Sequence, residues 1–530
     1  MKITNARARF LLVVILVLAA IFRFEAIDQP FVESNSWREA STAMMAENFF
    51  RGNWNILYPE ISWDGPGPSY NGRELQTVSY LAALLYTVFG QHDPIGRSIA
   101  VCFGLWGIFA LYKLTASVWD RERGLMAAAV MAVIPGSVFV DRQFLPDPAM
   151  VALITTSAWL LVRYCQTERL PYLVLASSIG AWGVLTKLTG AIVAIPMIYA
   201  SVTILRGRRR LDLRGLLPLA IATGLALIPV VAYYLWARYL ALNYPPFHFA
   251  GAGSWLWDRG FIEWLREKYY LPQLYSVFSS WFWTKPAIAL VLAGLMVRPP
   301  YRSREGKNSI GKAPWFFHWW LVGVGWYYLI GCKHLVEQPY NFHLINPPGA
   351  ALSGHALVTL AAFLKRRFHF SVALAGVLAI LLTVRAYGYR GLGIVYKPYI
   401  APSYRLGLEL RALAKPDDLV LSIADEVGTP VMIYYSRRRG WIFPPAWSKI
   451  PWWEDLPSGS DRALIAMLND LRGKGADWLG IAASQHEKLQ VSNPRFIEYI
   501  GRNFDLKYRD ESGLIYFLAS PTEVRGEPSL

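Results

Sequence analysis

The chain has 530 residues, of which 54% are hydrophobic, 15% aromatic and only 17% charged, against about a quarter charged in soluble domains. Apolar runs near 20 residues recur, enough to cross roughly 30 Å of hydrocarbon, so a soluble globular enzyme is excluded and a polytopic membrane protein is indicated. The net charge of +16 does not point to nucleic acid. Lys and Arg sit in short loops between apolar runs, where positive-inside topology and anionic headgroups account for them.

In chain order, "MKITNARARF" precedes about 18 apolar residues with no small-residue cleavage site, which reads as a retained first span. Eleven spans are expected, near 9–27, 96–116, 124–141, 149–165, 171–187, 189–205, 213–237, 281–298, 314–332, 347–364 and 370–387. The stretch 75–90, "LQTVSYLAALLYTVFG", is apolar but short. If it lies at the surface without crossing, Lys2, Arg7 and Arg9 share one side with Arg121 and Arg123, Arg163 and Arg169, "RGRRRLDLR", "RPPYRSREGKNSIGK" and "KRR" at 365–367. A crossing would flip the later basic loops outward, against the positive-inside tendency. The N-terminus is therefore expected in the cytoplasm, in a prokaryotic cytoplasmic (inner) membrane. The first loop, 28–95, then lies outside together with an interfacial loop at 238–280.

Residues 1–387 form the transmembrane part of this reading, and 388–530 an extracytoplasmic α/β domain. In the tail, "DLVLSIAD", "VMIYYS", "DWLGIAA" and "LIYFLAS" read as strands between charged helical segments such as "DRALIAMLNDLRGKG". "FIEWLREKYYLPQLY", in a Trp- and Tyr-rich loop, fits an interfacial amphipathic helix that positions a lipid or simply anchors the chain. The loop "SRRRGWIFPPAWSKIPWWEDLP" from 436 either overhangs a site or is a surface turn. Cys102, Cys165 and Cys332 lack metal spacing and read as packing residues. No internal repeat is evident.

Ionisable residues at membrane level are costly and mark functional candidates. The charge pattern places Arg38, Glu39 and Glu74 of the first loop, Asp141 and Asp147 of the next, and Lys187 on the same face. Lys333, His334, Glu337, Tyr340 and His343 join them there. Carboxylates can take a proton from a hydroxyl or hold a metal, and cations can pair with phosphate. Each residue taken singly is also readable as an interfacial anchor or helix cap. In "SNSWREASTAMMAENFF", Ser36 lies in a possible N-cap region, Met44, Met45 and Phe49 share an apolar side, and Glu39 in the first turn would suit the helix dipole.

In order and context these stretches resemble the GT-C fold of polytopic, lipid-phosphate-sugar-dependent glycosyltransferases. The resemblance is strongest to the protein O-mannosyltransferase and aminoarabinose transferase branch, families 39 and 83. It rests on "WREASTAMMAENFFRGNWNILYP", "NGRELQTVSYLAALLYTVFG", the stretch ending in "DRQFLPDPAM" and "GVLTKLTGAIVAIP". It covers about residues 8–205 by motif and 206–387 by span pattern. The resemblance implies a mainly α GT-C membrane domain, 1–387, that transfers a monosaccharide from a polyprenyl-phosphate donor to an acceptor hydroxyl outside the cytoplasm. The expected chemistry is an inverting single displacement with a carboxylate base.

Glu39 falls at the acidic position of the first loop and Asp147 at that of the second, the implied catalytic pair. Lys187 falls at the family's Lys, and Lys333, His343 and Arg38 are the further implied phosphate ligands. Glu74 stands where the aminoarabinose branch has Lys, which leaves it, with Asp141, His334, Glu337 and Tyr340, for acceptor or metal binding. Many relatives carry Asp-Glu where this chain has Arg38-Glu39, and close variants an Asp where it has Ser41. A divalent metal (Mg, Mn or Zn) is an option, although no Asp-x-Asp is present. The implied partners are the lipid-linked donor, membrane lipids and a glycan, lipid or protein acceptor. An oligosaccharide transferase using lipid pyrophosphate and a lipid-linked-sugar flippase stay open as alternatives.

Overall fold

A computed structural model describes residues 4–52, 54–247, 269–300, 312–426, 428–445 and 460–518, with only the backbone described at 332–334. Most of "FIEWLREKYY" and of the loop after Pro445 lies outside the described residues.

Helix α1 (Asn5–Phe24) leads into a first loop carrying α2 (Ser36–Arg51), β1 (Asp64–Gly65) and α3 (Thr77–Phe89). Next come α4 (Asp93–Val118), α5 (Arg121–Val133), α6 (Pro135–Val140), α7 (Asp147–Thr167) and α8 (Leu170–Thr186). A 3-10 turn at Leu188–Val193 opens α9 (Ala194–Gly207), and α10 (Leu213–Asn243) follows. Then α11 (Tyr270–Val277) and a π turn at Phe278–Phe282 precede α12 (Thr284–Met296) and α13 (Phe316–Glu337). A 3-10 turn at Pro339–Ile345 feeds α14 (Asn346–Arg367), and α15 (Phe370–Val395) closes the helical bundle.

Every expected span coincides with a helical segment. Among the described residues, seven helices are both long and apolar enough to cross a membrane. The others are interrupted or shorter for local reasons. Pro135 follows an extended Ile134 and splits α5 from α6, because proline disfavours helix in the residue before it and has no N–H to donate. Helix α13 kinks at Gly331. The 13 residues of α3 rise about 20 Å, short of the hydrocarbon thickness, and α3 packs on α2 and α4. Phe10, Val13 and Val17 of α1, Leu217, Ile221 and Leu225 of α10, and Leu378 and Leu382 of α15 are exposed, the apolar outer band that a bilayer requires.

The bundle has two chemically distinct ends. At one, Gln166 Nε2 donates to the Ser117 carbonyl at 3.1 Å, Lys312 Nζ to the Trp119 carbonyl at 2.7 Å, and Arg208 pairs with Glu168 at 2.8 Å. The basic turns at 121–123 and 206–210 therefore share that end. The first loop, the start of α7, the end of α8 and the turn before α14 meet at the other.

Beyond the bundle lie α16 (Ala401–Leu413), β2 (Leu419–Ile423), α17 (Val431–Ser436), β3 (Arg439–Ile442), α18 (Asp461–Gly473) and β4 (Ala476–Ala482). They are followed by α19 (Ala483–Ser492), α20 (Pro494–Asn503), β5 (Asp505–Asp510) and β6 (Gly513–Phe517). The sheet order is β1-β3-β2-β4-β6-β5, with β2 parallel to both β3 and β4 and the remaining pairings antiparallel. "VMIYYS" is the helix α17, not a strand. It is buried on nearly every side, and a short, wholly apolar run does not distinguish a strand from a buried helical turn.

The sheet is not made from the tail alone. The first loop supplies its edge strand, with Asp64 opposite Trp441 and Gly65 opposite Gly440. Gly440 is required by close approach, since a Cβ there would stand 1.8 Å from the Val420 carbonyl oxygen. Arg439 pairs with Glu60 at 2.7 Å, and the Tyr434 and Tyr435 hydroxyls donate to Asp93 at 2.8 and 2.6 Å. Strand pairing and polar contacts thus dock the sheet on the first loop. The expected boundary at 387 falls inside α15.

Candidate active site

Helix α8 stops at Thr186, and Lys187 adopts an extended backbone (φ −160, ψ 123) before the next 3-10 turn. The break turns its side chain toward the start of α7. There Lys187 Nζ donates to both Asp147 oxygens at 2.8 and 2.9 Å and to Asn341 Oδ1 at 2.7 Å. Asp147 is the first residue of α7 with Pro148 behind it. The unpaired N–H groups of that helix end favour a carboxylate, and proline at this point sacrifices no helical hydrogen bond. The 3-10 turn before α14 supplies Asn341 and Tyr340, whose ring centroid lies 4.9 Å from Lys187 Nζ. The Tyr340 hydroxyl donates to Gln338 Oε1 at 2.6 Å.

The first loop brings a second charged pair to the same place. Arg38, in the first turn of α2, donates through one terminal nitrogen to both Glu74 oxygens at 2.6 and 2.5 Å. Burial alone pushes the Glu74 carboxyl up, but Arg38, then Lys187 and Arg73, more than offset this and hold it below the usual carboxylate range. Burial likewise works against the charge on Arg38, while Glu74 and Asp147 restore it and leave the guanidinium pKa raised. Arg73, next to Glu74, is held below the usual arginine range by burial first and by Arg38 second. The two pairs and Arg73 therefore share one field.

Several candidate residues lie elsewhere. Glu39 is fully buried and accepts from Arg97 Nε at 3.1 Å, from a terminal Arg97 nitrogen at 3.3 Å, and from the Phe144 amide at 2.9 Å. Arg97 also reaches Glu33 at 3.3 Å, and Arg142 pairs with Glu33 in turn. Glu39 is thus part of a closed, two-carboxylate, two-arginine lock between α2, α4 and the turn before α7. This corrects the expectation that it faces an acceptor. Asp141 is the acceptor of Arg23, at 2.8 Å, and of Ser137. His343 Nε2 lies 2.9 Å from Asp141, and its Nδ1 lies 2.9 Å from the Asn346 amide. That places His343 and Asp141 in a second buried lock, with Arg23 and Ser137. Glu337 is exposed at the end of α13. The side chains of Lys333 and His334 lie outside the described residues.

Among the described residues, no three His, Cys, Asp or Glu side chains form a metal-ligating group. The carboxylates of the cluster face Arg and Lys instead, so the donor set does not fit a divalent metal. Sequence reasoning passed over Arg73, Asn341 and Arg97. Arg73 adjoins Glu74 in "NGRELQ" and was visible as a cation beside a singled-out acid. Nothing in the sequence distinguishes Asn341 from any other polar residue in a turn.

Residues 77–236 match the model of the dolichyl-phosphate-mannose-protein mannosyltransferase family. The putative mannosyltransferase YkcB of Bacillus subtilis (strain 168) is 25% identical over 187 residues, which is 35% of this chain and 25% of that protein. The chain therefore spans only a quarter of that relative's length. Among solved structures, ArnT from Cupriavidus metallidurans bound to undecaprenyl phosphate matches with a TM-score of 0.59 at 13% identity, covering 96% of this chain and 98% of that one. The oligosaccharyltransferase AglB from Archaeoglobus fulgidus, in complex with an inhibitory peptide and a dolichol-phosphate, matches with a TM-score of 0.59 at 12% identity, covering 97% of this chain and 74% of that one. The architecture is the GT-C fold of integral-membrane glycosyltransferases.

Proposed function

We propose that this GT-C-fold membrane protein transfers a monosaccharide from a polyprenyl-phosphate donor to an acceptor hydroxyl, on the extracytoplasmic side of a prokaryotic inner membrane. The observation that carries the reading is the clustering of two carboxylates, Glu74 and Asp147, with three cations, Arg38, Arg73 and Lys187, at one end of the helical bundle. The sequence similarity to mannosyltransferases and the lipid phosphates bound by fold relatives support the same class of donor.

The two carboxylates divide the work by access. The Asp147 side chain is 1% exposed and its two oxygens are held by Lys187, so it orients that ammonium. Glu74 is 13% exposed and meets only one terminal nitrogen of Arg38, leaving lone pairs for an incoming hydroxyl. Glu74 takes the acceptor proton as the acceptor oxygen bonds to the anomeric carbon. The bond from that carbon to the phosphate oxygen breaks, and polyprenyl phosphate leaves with the electron pair. Charge grows on the departing phosphate, and the fixed cations stabilise it without having to reorganise. No covalent enzyme intermediate is required.

The test is turnover by the purified protein in liposomes supplied with polyprenyl-phosphate sugars and a mixture of glycan, lipid and peptide acceptors. Acceptor-dependent release of polyprenyl phosphate is expected. Glu74→Gln should lower kcat per folded molecule by about 100-fold or more, the usual scale for a positioned base, beyond any loss of Tm from leaving Arg38 without its carboxylate. Release that survives both Glu74→Gln and Asp147→Asn would sink this site. Movement of donor between leaflets without transfer would support a flippase instead.

A further inference from the structure

The sheet beyond the bundle is covered on both faces. Val420 of β2 joins Leu406 and Met432 on one side, and Leu421 joins Leu464 and Leu489 on the other, as the alternation of a strand requires. Its parallel strands β3, β2 and β4 form a small open α/β unit. From the carboxyl end of β2 the chain leaves through α17 to β3 on one side. From that of β4 it leaves through α19 and α20 to β5 at the opposite edge. Neighbouring strands whose connections part in this way leave a crevice between their carboxyl ends, and open α/β sheets bind ligands at such a point.

Polar groups gather there from both strands. Asp425, just past β2, accepts the Ser403 amide and hydroxyl at 2.9 and 2.8 Å through one oxygen. Its other oxygen accepts the hydroxyl of Ser484, just past β4, at 3.0 Å. These contacts alone would be a clasp on the start of α16. Other features exceed a clasp. Glu426 and Ser484 are exposed. Gln485, 2% exposed, donates from Nε2 to the Asp425 carbonyl at 2.9 Å, which fixes its amide between the strand ends and leaves Oε1 buried without a donor. The Thr429 hydroxyl, in the turn between β2 and α17, is also buried without a partner. A buried polar group left unmet costs about 1–3 kcal/mol. Helix α19 begins without a side-chain cap, so amides of its first turn remain as donors.

This mixture restricts the ligand. An anion would meet Asp425 and Glu426, and a cation would meet the positive end of α19. A neutral ring with vicinal hydroxyls both donates and accepts, and so satisfies both kinds of group. Tyr399, exposed and in the field of Glu426, adds an aromatic surface and hydrogen-bonds Ser34 of the first loop. No more than about 14 Å of chain separates Ser34 from Arg38 of the reacting cluster.

Resting on the glycosyltransferase reading above, we infer that the crevice between the carboxyl ends of β2 and β4 is a sugar-binding subsite, which holds one ring of a neutral glycan acceptor through its vicinal hydroxyls. Asp425 and Gln485 shape the floor, Glu426 and Ser484 are the exposed contacts, and the tail thereby presents the acceptor to the first loop.

The test is saturation-transfer NMR on the purified full chain in nanodiscs, with soluble neutral oligosaccharides of hexose and N-acetylhexosamine units as probes. At least one probe should bind the wild type. Glu426→Ala and Ser484→Leu should each weaken that binding about tenfold, the scale of one or two lost hydrogen bonds, with Tm unchanged because both side chains are exposed. With the same oligosaccharide as acceptor, both variants should raise its KM by about tenfold while kcat changes far less. Wild-type binding in both variants, or a fall in Tm large enough to account for the loss, would overturn the subsite. Absence of any bound oligosaccharide, with polyprenyl phosphate still released to lipid or peptide acceptors, would overturn it while leaving the glycosyltransferase reading in place. Binding that depends on Glu426 and Ser484, without transfer from any donor, would defeat that reading and leave the sugar site standing.

Discussion

Glu39 and Glu74 are both first-loop carboxylates facing an arginine, yet their surroundings give them different work. Glu39 receives three donors and no solvent, whereas Glu74 receives one guanidinium nitrogen and stays partly open. Sequence reading singled out both but ranked them by family position, and the chain departs from the family at that point by carrying Arg38. The rank could not be read because it depends on Arg97, which is 58 residues from Glu39 along the chain. Lys187 and Asp147 were legible because a charge at the end of an apolar run is unusual wherever it occurs. Removing one partner of a buried pair strands the other, at a cost on the order of 3 kcal/mol. Glu39→Gln should therefore lower Tm substantially in thermal unfolding, while protein that survives retains near-normal kcat per folded molecule. A normal Tm with lost turnover would return Glu39 to the catalytic group.

At the scale of elements, helix positions followed from apolar length, and the breaks that aim side chains followed from proline and from tertiary contacts. The end of α8 illustrates the second kind, because no breaker residue at 187 announces the extended turn. The edge strand β1 was equally hidden. Two residues give no period to detect, and their pairing partner lies more than 370 residues away. Asp64 in that strand is buried, and burial, against the opposing pull of Lys474, raises its carboxyl from 3.8 to about 6. The folded state thus favours the protonated acid. Stability from this group is fully present below pH 3.8 and is lost as pH rises through about 6. Asp64→Asn should then stabilise the docked sheet by about 1–3 kcal/mol at pH 7, with no gain at pH 4, as read from Tm at the two values. Equal effects at both values would mean that Asp64 ionises as freely in the fold as outside it.

Across the whole molecule, the charge pattern and the geometry give the same division. The helices run so that Arg7 and Arg9, the 121–123 and 206–210 turns and Lys365–Arg367 all lie at the end opposite the Lys187 cluster and the sheet. In the proposed orientation, which follows the positive-inside tendency, that basic end faces the cytoplasm and the proposed site and the sheet face outward. A lipid-linked donor suits this arrangement, since its phosphate can wait at the outer surface while its chain stays in the bilayer. In a chain with Cys102, Cys165 and Cys332 replaced by alanine, Asn503→Cys in the exposed end of α20 should react with a membrane-impermeant maleimide in intact cells. Arg209→Cys, exposed in the basic turn, should react only after the membrane is opened. The reverse pattern would place Glu74, Asp147 and Arg73 on the cytoplasmic side, where the acceptors would have to be cytoplasmic molecules and the outer-leaflet donor would be out of reach.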